Sequence, residues 1–327
     1  IALQAYPDAL GWYDAKTKAA MSVMSLIHPE LSTNKDSESA FKIVLAITSN
    51  GNKVFDNFKE ANRQYEYFKN NGKFDEKKSI GIQSSGIKSS LKLVNNVLDI
   101  MPMSDFSKFL NEKFTVSDLK YKDSKGKTKN LLSGFLAKTE VYGASIFGAK
   151  IGNGFYMNLN GVFDQLTMDR WFIRQYGRLT GTLIDRSSTK VNNGKIRVKD
   201  SISKLSNEEK KTLRRLIPGY SSMSMINLAN SIEKVSAKTD KREILSEGNL
   251  NELRKAGNSL AKDNRGEIEA PKGGSQRTFI IDIFDSVQDR LKNDFGIDIT
   301  IADLQAVNWY PEKGLYKTFQ EGAKESS

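Results

Sequence analysis

The stretch FGAKIGNGFYMNLNGVFDQLTMDRWFIRQYGR, Phe147 to Arg178, decides how the chain is read. Gly148 supplies the backbone freedom of a tight turn. A helix is predicted from about Ala149 to Asn160, with Ile151, Phe155 and Leu159 at i, i+4 and i+8 as its buried stripe. Gly161 is a natural stop, because a glycine just past a helix takes the left-handed cap without strain. After a short loop, Asp169 is placed to cap a second helix whose apolar stripe is Phe172, Tyr176, Leu179 and Leu183. Lys150 therefore opens one helix and Asp169 the next, nineteen positions later.

Both side chains feel that placement. A lysine in the first turn of a helix meets the positive end of the dipole, which disfavours its charged form, and desolvation pushes the same way. The neutral amine is a nucleophile. An aspartate at an N-cap accepts backbone N–H bonds, which favours its ionised form. A nucleophilic amine beside a stable carboxylate is a catalytic pair, and the alternative is a structural cap with a surface lysine. Arg170, Arg174 and Arg178 fall at i, i+4 and i+8, a basic edge suited either to clamping phosphates or to a solvated face. Phe155, Trp171, Trp309 and Tyr310 are the aromatics that could stack a base, with Phe155 at a core spacing.

At these residues the chain resembles the helix-hairpin-helix DNA glycosylases. That family carries Gly-x-Lys at the end of the hairpin and an aspartate nineteen residues after the lysine; Gly148, Lys150 and Asp169 match in type and spacing. Its lyase members, such as the 8-oxoguanine glycosylases, attack the sugar with that lysine. Upstream, FKIVLAITSNGNKVFDNF, Phe41 to Phe58, is similar to the family's early helix pair joined by a Ser-Asn-x-Asn turn, here Ser49, Asn50, Gly51 and Asn52. The resemblance covers roughly Phe41 to Leu183, and more weakly the C-terminal helix. The usual first hairpin glycine is replaced by Ile146, with Gly143 nearby.

The resemblance implies an all-α, two-lobed fold with a DNA-binding groove between lobes: about 41–165 as a central lobe with the hairpin, and 1–40 plus 166–327 as the second. It implies a DNA glycosylase with abasic-site lyase activity, Lys150 and Asp169 catalytic, on double-stranded DNA and as a monomer. Asn50, Asn52 and Gly148 would join Arg170, Arg174 and Arg178 in holding DNA. Asp303, Gln305 and Trp309 would join Trp171 in the base pocket. No cofactor is expected; without cysteine there is no iron–sulfur cluster, and a monovalent cation on the hairpin carbonyls is the one ion the family leaves room for.

Composition agrees with an anionic partner: 50 basic against 39 acidic residues give +11, with a pI near 9.4. A basic source proteome would give the same balance. Zero cysteines exclude disulfides, thiol catalysis and Cys-type zinc sites, and one histidine, His28, leaves no material for a His triad. His28 reads as a packed or capped side chain. No apolar run reaches membrane-spanning length and no signal peptide is visible, so a cytoplasmic location is expected. The segment GASIFGAK misses the phosphate-loop motif, because Ala149 separates glycine from lysine and Ile151 follows.

Along the chain, helices are expected over about Asp14–Leu26, Leu91–Ile100, Ser104–Phe109, Asn207–Leu216, Met223–Val235, Glu243–Leu260 and Thr278–Phe295. A last helix, capped by Thr300 and Asp303, is expected to end at Trp309-Tyr310 before Pro311. Gly72–Lys88 reads as a connection, KYKDSKGKTKN (120–130) as an exposed basic loop, 185–200 as a polar loop and 264–276 as a linker. LTMDRWFIRQYGRLTG and ADLQAVNWYPEKGLY also resemble parts of long phage polyproteins, and the chain opens at Ile1 without methionine. The competing expectation is therefore a non-catalytic nucleic-acid-binding or structural segment of a phage virion polyprotein, excised from a longer chain. An active enzyme delivered with the phage genome fits the same resemblance.

Overall fold

The computed structural model describes residues 7–77, 84–122, 126–266 and 268–325. Helices carry it; the strands among the described residues are four three-residue pieces. Lys113–Thr115 pairs antiparallel with Glu140–Tyr142, Phe114 opposite Val141. Lys120–Lys122 pairs with Thr128–Asn130. The second pair corrects the basic loop expected over 120–130. Every described residue of these two strands is exposed, so no in–out alternation marked them in the sequence. Part of the Gly72–Lys88 connection, residues 78–83, lies outside the described residues.

Two compact units divide the chain: residues 1–172 with 270–327, and residues 173–269. The boundaries differ from a 41–165 partition, because both ends of the chain join the central helices. Ala9 and Tyr13 from the N-terminal segment pack with Ala302, Ala306, Val307 and Trp309 of the C-terminal helix.

The first unit is built on the helix Lys35–Thr48. Asn34 caps it, its side-chain oxygen accepting from the N–H groups of Asp36 (2.9 Å) and Ser37 (3.0 Å). Phe41, Ile43, Val44, Leu45, Ala46 and Ile47 are all buried, so the C-terminal half of this helix is apolar nearly all round and lies inside its unit, while Lys35 and Asp36 at its start are exposed. Burial of each large side chain contributes about 1.5–3 kcal/mol. The helix Val54–Asn71 follows after a turn in which Gly51 has φ 81°. Thr48 donates to Asn57 at 2.6 Å, and Asn57 donates back to the Leu45 carbonyl at 3.1 Å, which stitches the two helices together. His28 is buried as expected, its Nε2 2.7 Å from the Asn62 side-chain oxygen.

The second unit has its own core, with Val198, Leu213, Leu228, Ile232, Leu245, Leu253 and Leu260 buried. Its helix Ser188–Ser203 corrects the loop expected over 185–200. The only buried positions of that helix are Gly194 and Val198, and Gly194 admits Leu260 so closely that a side chain would collide with it. A glycine at a core position carries no hydrophobic signal. The single helix expected over Glu243–Leu260 is two, Thr239–Ile244 and Gly248–Arg265, with Leu245 and Leu250 buried on either side of the break. In the first unit the C-terminal helix runs Ile301–Glu325, past Pro311, rather than ending before it. A proline removes one N–H and crowds one carbonyl, and the turns on either side keep their own bonds. No helix among the described residues is long and apolar enough to cross a membrane.

Candidate active site

The segment around Lys150 is a short 3-10 turn, Gly143–Phe147, then Gly148, then a π-helical stretch Ala149–Tyr156 that passes into Met157–Leu159. Gly148 has φ 92° and ψ 160°, a backbone conformation that side chains disfavour. Its carbonyl accepts from the N–H of Gly152 at 2.9 Å and of Asn153 at 3.4 Å. Gly143 is buried against the Phe109 carbonyl and has no positive φ, so its part is close packing rather than turn geometry.

Two glycines bring the lysine's helix close to its neighbours. A side chain at Gly152 would overlap the Ala144 carbonyl, and one at Gly154 would strike Thr167. Two asparagines then lock the surrounding chain. Asn153 accepts from the Tyr142 N–H (2.9 Å) and Ser145 hydroxyl (3.1 Å), and donates to Gln165 (2.7 Å). Asn158 donates to the carbonyls of Val162 (2.9 Å) and Gln165 (3.1 Å), and accepts from the Thr167 hydroxyl (2.9 Å). Gln305 holds the same loop, accepting from the Thr167 N–H at 2.6 Å and donating to its carbonyl at 2.7 Å. The chain thus arrives rigidly at Asp169, whose side chain accepts from the Phe172 N–H at 2.9 Å as the cap of helix Arg170–Thr180.

Lys150 and Asp169 line one cavity of about 610 Å³ within the first unit. That size suits a small organic ligand, for which pockets run about 300–1,000 Å³. Trp12, Tyr13, Phe155, Trp171 and Trp309 contribute aromatic surface, and Lys16, Lys53 and Arg170 add positive charge. Trp12 meets Trp309 edge-on at 5.7 Å, and the Lys16 ammonium lies over the Trp12 ring at 5.1 Å. Arg170 stacks on Trp171 at 5.2 Å. Asn52 and Gly51 reach the same wall, and Asn52 is held by donating to the Thr48 carbonyl at 2.8 Å.

Burial pushes the Asp169 carboxyl above the ordinary aspartate pKa, against the Phe172 N–H bond and the charges of Lys150 and Arg170, which pull it down. The expectation that an N-cap position dominates this group is therefore corrected: desolvation outweighs the cap. Tyr13, buried beside it, is raised for the same reason first and by the Asp169 charge second, so its phenol stays protonated. Its oxygen accepts from Gln305 at 3.0 Å.

Several expected site residues lie elsewhere. Arg174 is buried and paired with Glu269 at 3.4 Å, so it is an interior ion pair and not an exposed clamp. Arg178 is exposed, and Leu179, expected in the apolar stripe, is 72% exposed. The buried positions at the start of that helix are Phe172 and Ile173. Asn50 is off the cavity wall, its amide beside Gly86. Asp303 accepts from the Gly11 N–H at 2.8 Å and anchors the N-terminal segment; Gln305 is fully buried in the Thr167 network. Neither is on the wall. Trp12, Tyr13, Lys16, Lys53 and Thr167 are wall residues that the sequence reading missed. A Trp-Tyr pair followed by lysine, ahead of an otherwise ordinary amphipathic helix, was the available signal. Trp12–Lys16 is itself π-helical, like the stretch bearing Lys150, and π turns recur at functional sites.

Among the described residues no cluster of three or more His, Cys, Asp or Glu is arranged to hold a metal. Compared with family models, curated proteins and solved structures, the chain finds no match.

Proposed function

We propose that this cavity receives a nucleotide extruded from double-stranded DNA, and that the protein is a DNA glycosylase with abasic-site lyase activity. The observation that carries the proposal is the shared wall: Lys150 and Asp169 meet in one aromatic-lined cavity, and the lysine's charge acts on the aspartate. A base pulled from the stack needs an aromatic or apolar slot, and Trp12, Trp171 and Trp309 supply surface of that kind. The finer fold class, a two-lobed helix-hairpin-helix glycosylase, belongs to the same proposal.

The Lys150 amine, once neutral, attacks the anomeric carbon. The bond from that carbon to the base breaks, its electron pair leaving on the base, which takes up a proton. The remaining N–H proton passes to the ring oxygen as the bond from that oxygen to the anomeric carbon breaks, which leaves an open-chain imine. Loss of a proton from the neighbouring C2′ then forms a C2′–C3′ double bond and expels the 3′-phosphate with the C3′–O electron pair. Asp169, as the carboxylate, stabilises the positive charge that grows on the sugar. Its raised pKa also makes it a stronger base toward the Lys150 ammonium than an exposed aspartate would be. Lys16, Lys53 and Arg170 favour the phosphates that flank the extruded nucleotide.

Borohydride reduces such an imine to a permanent protein–DNA crosslink. Duplex DNA with a single abasic site should trap the wild-type protein at Lys150. Lys150→Gln should lose that crosslink while still binding the duplex. Equal trapping by the two proteins would remove Lys150 from the chemistry and leave the non-catalytic, nucleic-acid-binding reading.

A further inference from the structure

The chain has three tryptophans, and all three rings, Trp12, Trp171 and Trp309, line the cavity that holds Lys150 and Asp169. They arrive from the N-terminal segment, the start of the helix Arg170–Thr180 and the C-terminal helix, so no single stretch of sequence gathers them. Trp309 is buried, whereas Trp12 and Trp171 are half-buried. Large aromatic rings commonly fill a core, yet these border about 610 Å³ of open space. Trp12 meets Trp309 at 5.7 Å and Tyr310 at 6.0 Å, both edge-on, so these rings do not cover one another face to face.

The charges on the same wall are one-sided. Lys16, Lys53, Lys150 and Arg170 stand against a single carboxylate, Asp169. Burial makes the charge of that carboxylate harder to hold, although Lys150 and Arg170 both act to support it. Lys16, Lys53 and Arg170 form no ion pair among the described residues. Two of these cations sit directly at the tryptophans: the Lys16 ammonium is 5.1 Å from the Trp12 ring centre, and the Arg170 guanidinium 5.2 Å from that of Trp171. Charges of one sign on low-dielectric walls reinforce one another inside a cleft.

An aromatic wall with cations at two of its rings matches a ligand that joins a flat heterocycle to an anion. A base stacks on indole whatever its identity, and a phosphate takes charge-assisted hydrogen bonds from ammonium and guanidinium groups. An apolar ligand would leave the cations unanswered, a cationic one would be repelled, and a bare anion would leave the rings in water. We propose that the cavity is a mononucleotide site in its own right, taking up a free nucleoside 5′-monophosphate with its base against the tryptophans and its phosphate toward Lys16, Lys53 and Arg170. Its volume is within the range of pockets that enclose small organic ligands. The proposal goes beyond the reading above, because it needs neither a duplex nor the Lys150 amine.

Because every indole of the chain lines the cavity, tryptophan fluorescence reads its occupancy directly. Titrating the full-length protein with deoxyadenosine 5′-monophosphate should give a saturable change in that signal and a matching heat by calorimetry. Deoxyadenosine and inorganic phosphate, each carrying half of the ligand, should bind about tenfold more weakly or worse by calorimetry. Lys16→Gln and Lys53→Gln should each weaken the monophosphate several-fold and leave deoxyadenosine unchanged, while Lys53→Arg keeps the charge and most of the affinity. Trp12→Leu should weaken both ligands, and Trp12→Phe, which keeps a ring, should restore most of the loss. Lys199→Gln, an exposed lysine of the other unit, should bind as the wild type does. Absence of a saturable signal with the monophosphate would overturn the proposal. Equal affinity for nucleoside and nucleotide would do the same, as would equal losses at Lys53 and Lys199. Borohydride trapping on abasic duplex reads the Lys150 chemistry separately. A protein that traps the duplex but ignores the monophosphate sinks this proposal alone, and one that binds the monophosphate without trapping sinks only the lyase.

Discussion

Asp169 and Glu209 do the same local work in different parts of the chain, and their acidities move in opposite directions. Each carboxylate accepts backbone N–H bonds at a helix start: Asp169 from Phe172 at 2.9 Å, Glu209 from Ser206 at 2.8 Å within a full capping box. Glu209 lies at the surface, and those bonds, with others from Asn249, pull its pKa down to about 2. Asp169 lines a cavity, and burial lifts it above the aspartate range despite Lys150 and Arg170 close by. A cap stabilises a charge where water already supports it. Where the water is removed, the same cap is not enough. Glu209 contributes to stability, whereas the ionised form of Asp169 is held at a cost to stability.

The largest effect that should separate the two is on activity. Asp169→Asn keeps a capping side chain and loses the charge, so cleavage of abasic duplex should fall about a hundredfold or more, the scale of one lost electrostatic stabiliser. Glu209→Gln should leave that rate unchanged. A rate lost equally in both would mean that the assay reads folding and not the carboxylate.

The pH profile sharpens the same contrast. If Asp169 acts as a carboxylate, the acid limb of cleavage should have its midpoint above the usual aspartate value near 3.9, and Asp169→Asn should abolish that limb. A limb at or below that value would contradict the burial that the structure gives the group.

Stability should then show opposite signs. A raised carboxyl pKa means that the folded state holds the proton more tightly, so stability is lost as pH rises through the folded pKa. At neutral pH Asp169→Asn should therefore melt at or above the wild-type temperature, and the difference should close on acidification. For Glu209 the depressed pKa contributes stability above about 4.5, lost as pH falls toward about 2. Glu209→Gln should melt lower than wild type at neutral pH, with the gap closing across that window. Thermal melts at several pH values decide both cases. The smallest effect is Ser206→Ala, which removes the other half of the capping box and should cost about 1 kcal/mol by denaturant titration.

Local signals were legible wherever one residue acts on its own backbone. Gly148 and Gly161 were read as turn and stop, and both have positive φ. Asp169 was read as a cap and is one. Thr300 likewise accepts from the Asp303 N–H at 3.0 Å, as its spacing predicted. Signals failed where the informative residue was silent. Gly194 hid a helix by filling a core position without an apolar side chain, and the exposed strands at 120–122 and 128–130 had no buried face to alternate against.

By itself the sequence determined a predominantly helical chain with a strongly positive charge, without disulfides, and with Lys150 and Asp169 each opening a helix. Periodicity, capping chemistry and composition are properties of short segments, so one chain suffices to read them. Tertiary structure alone decided which side chains share a wall. It placed Trp12, Tyr13 and Lys16 beside Lys150, buried Arg174 against Glu269, and turned Asp303 and Gln305 into supports rather than wall residues. It also set the direction of the Asp169 pKa. Burial depends on what the rest of the chain folds over a residue, and that sum of distant contacts is written in no single stretch of sequence.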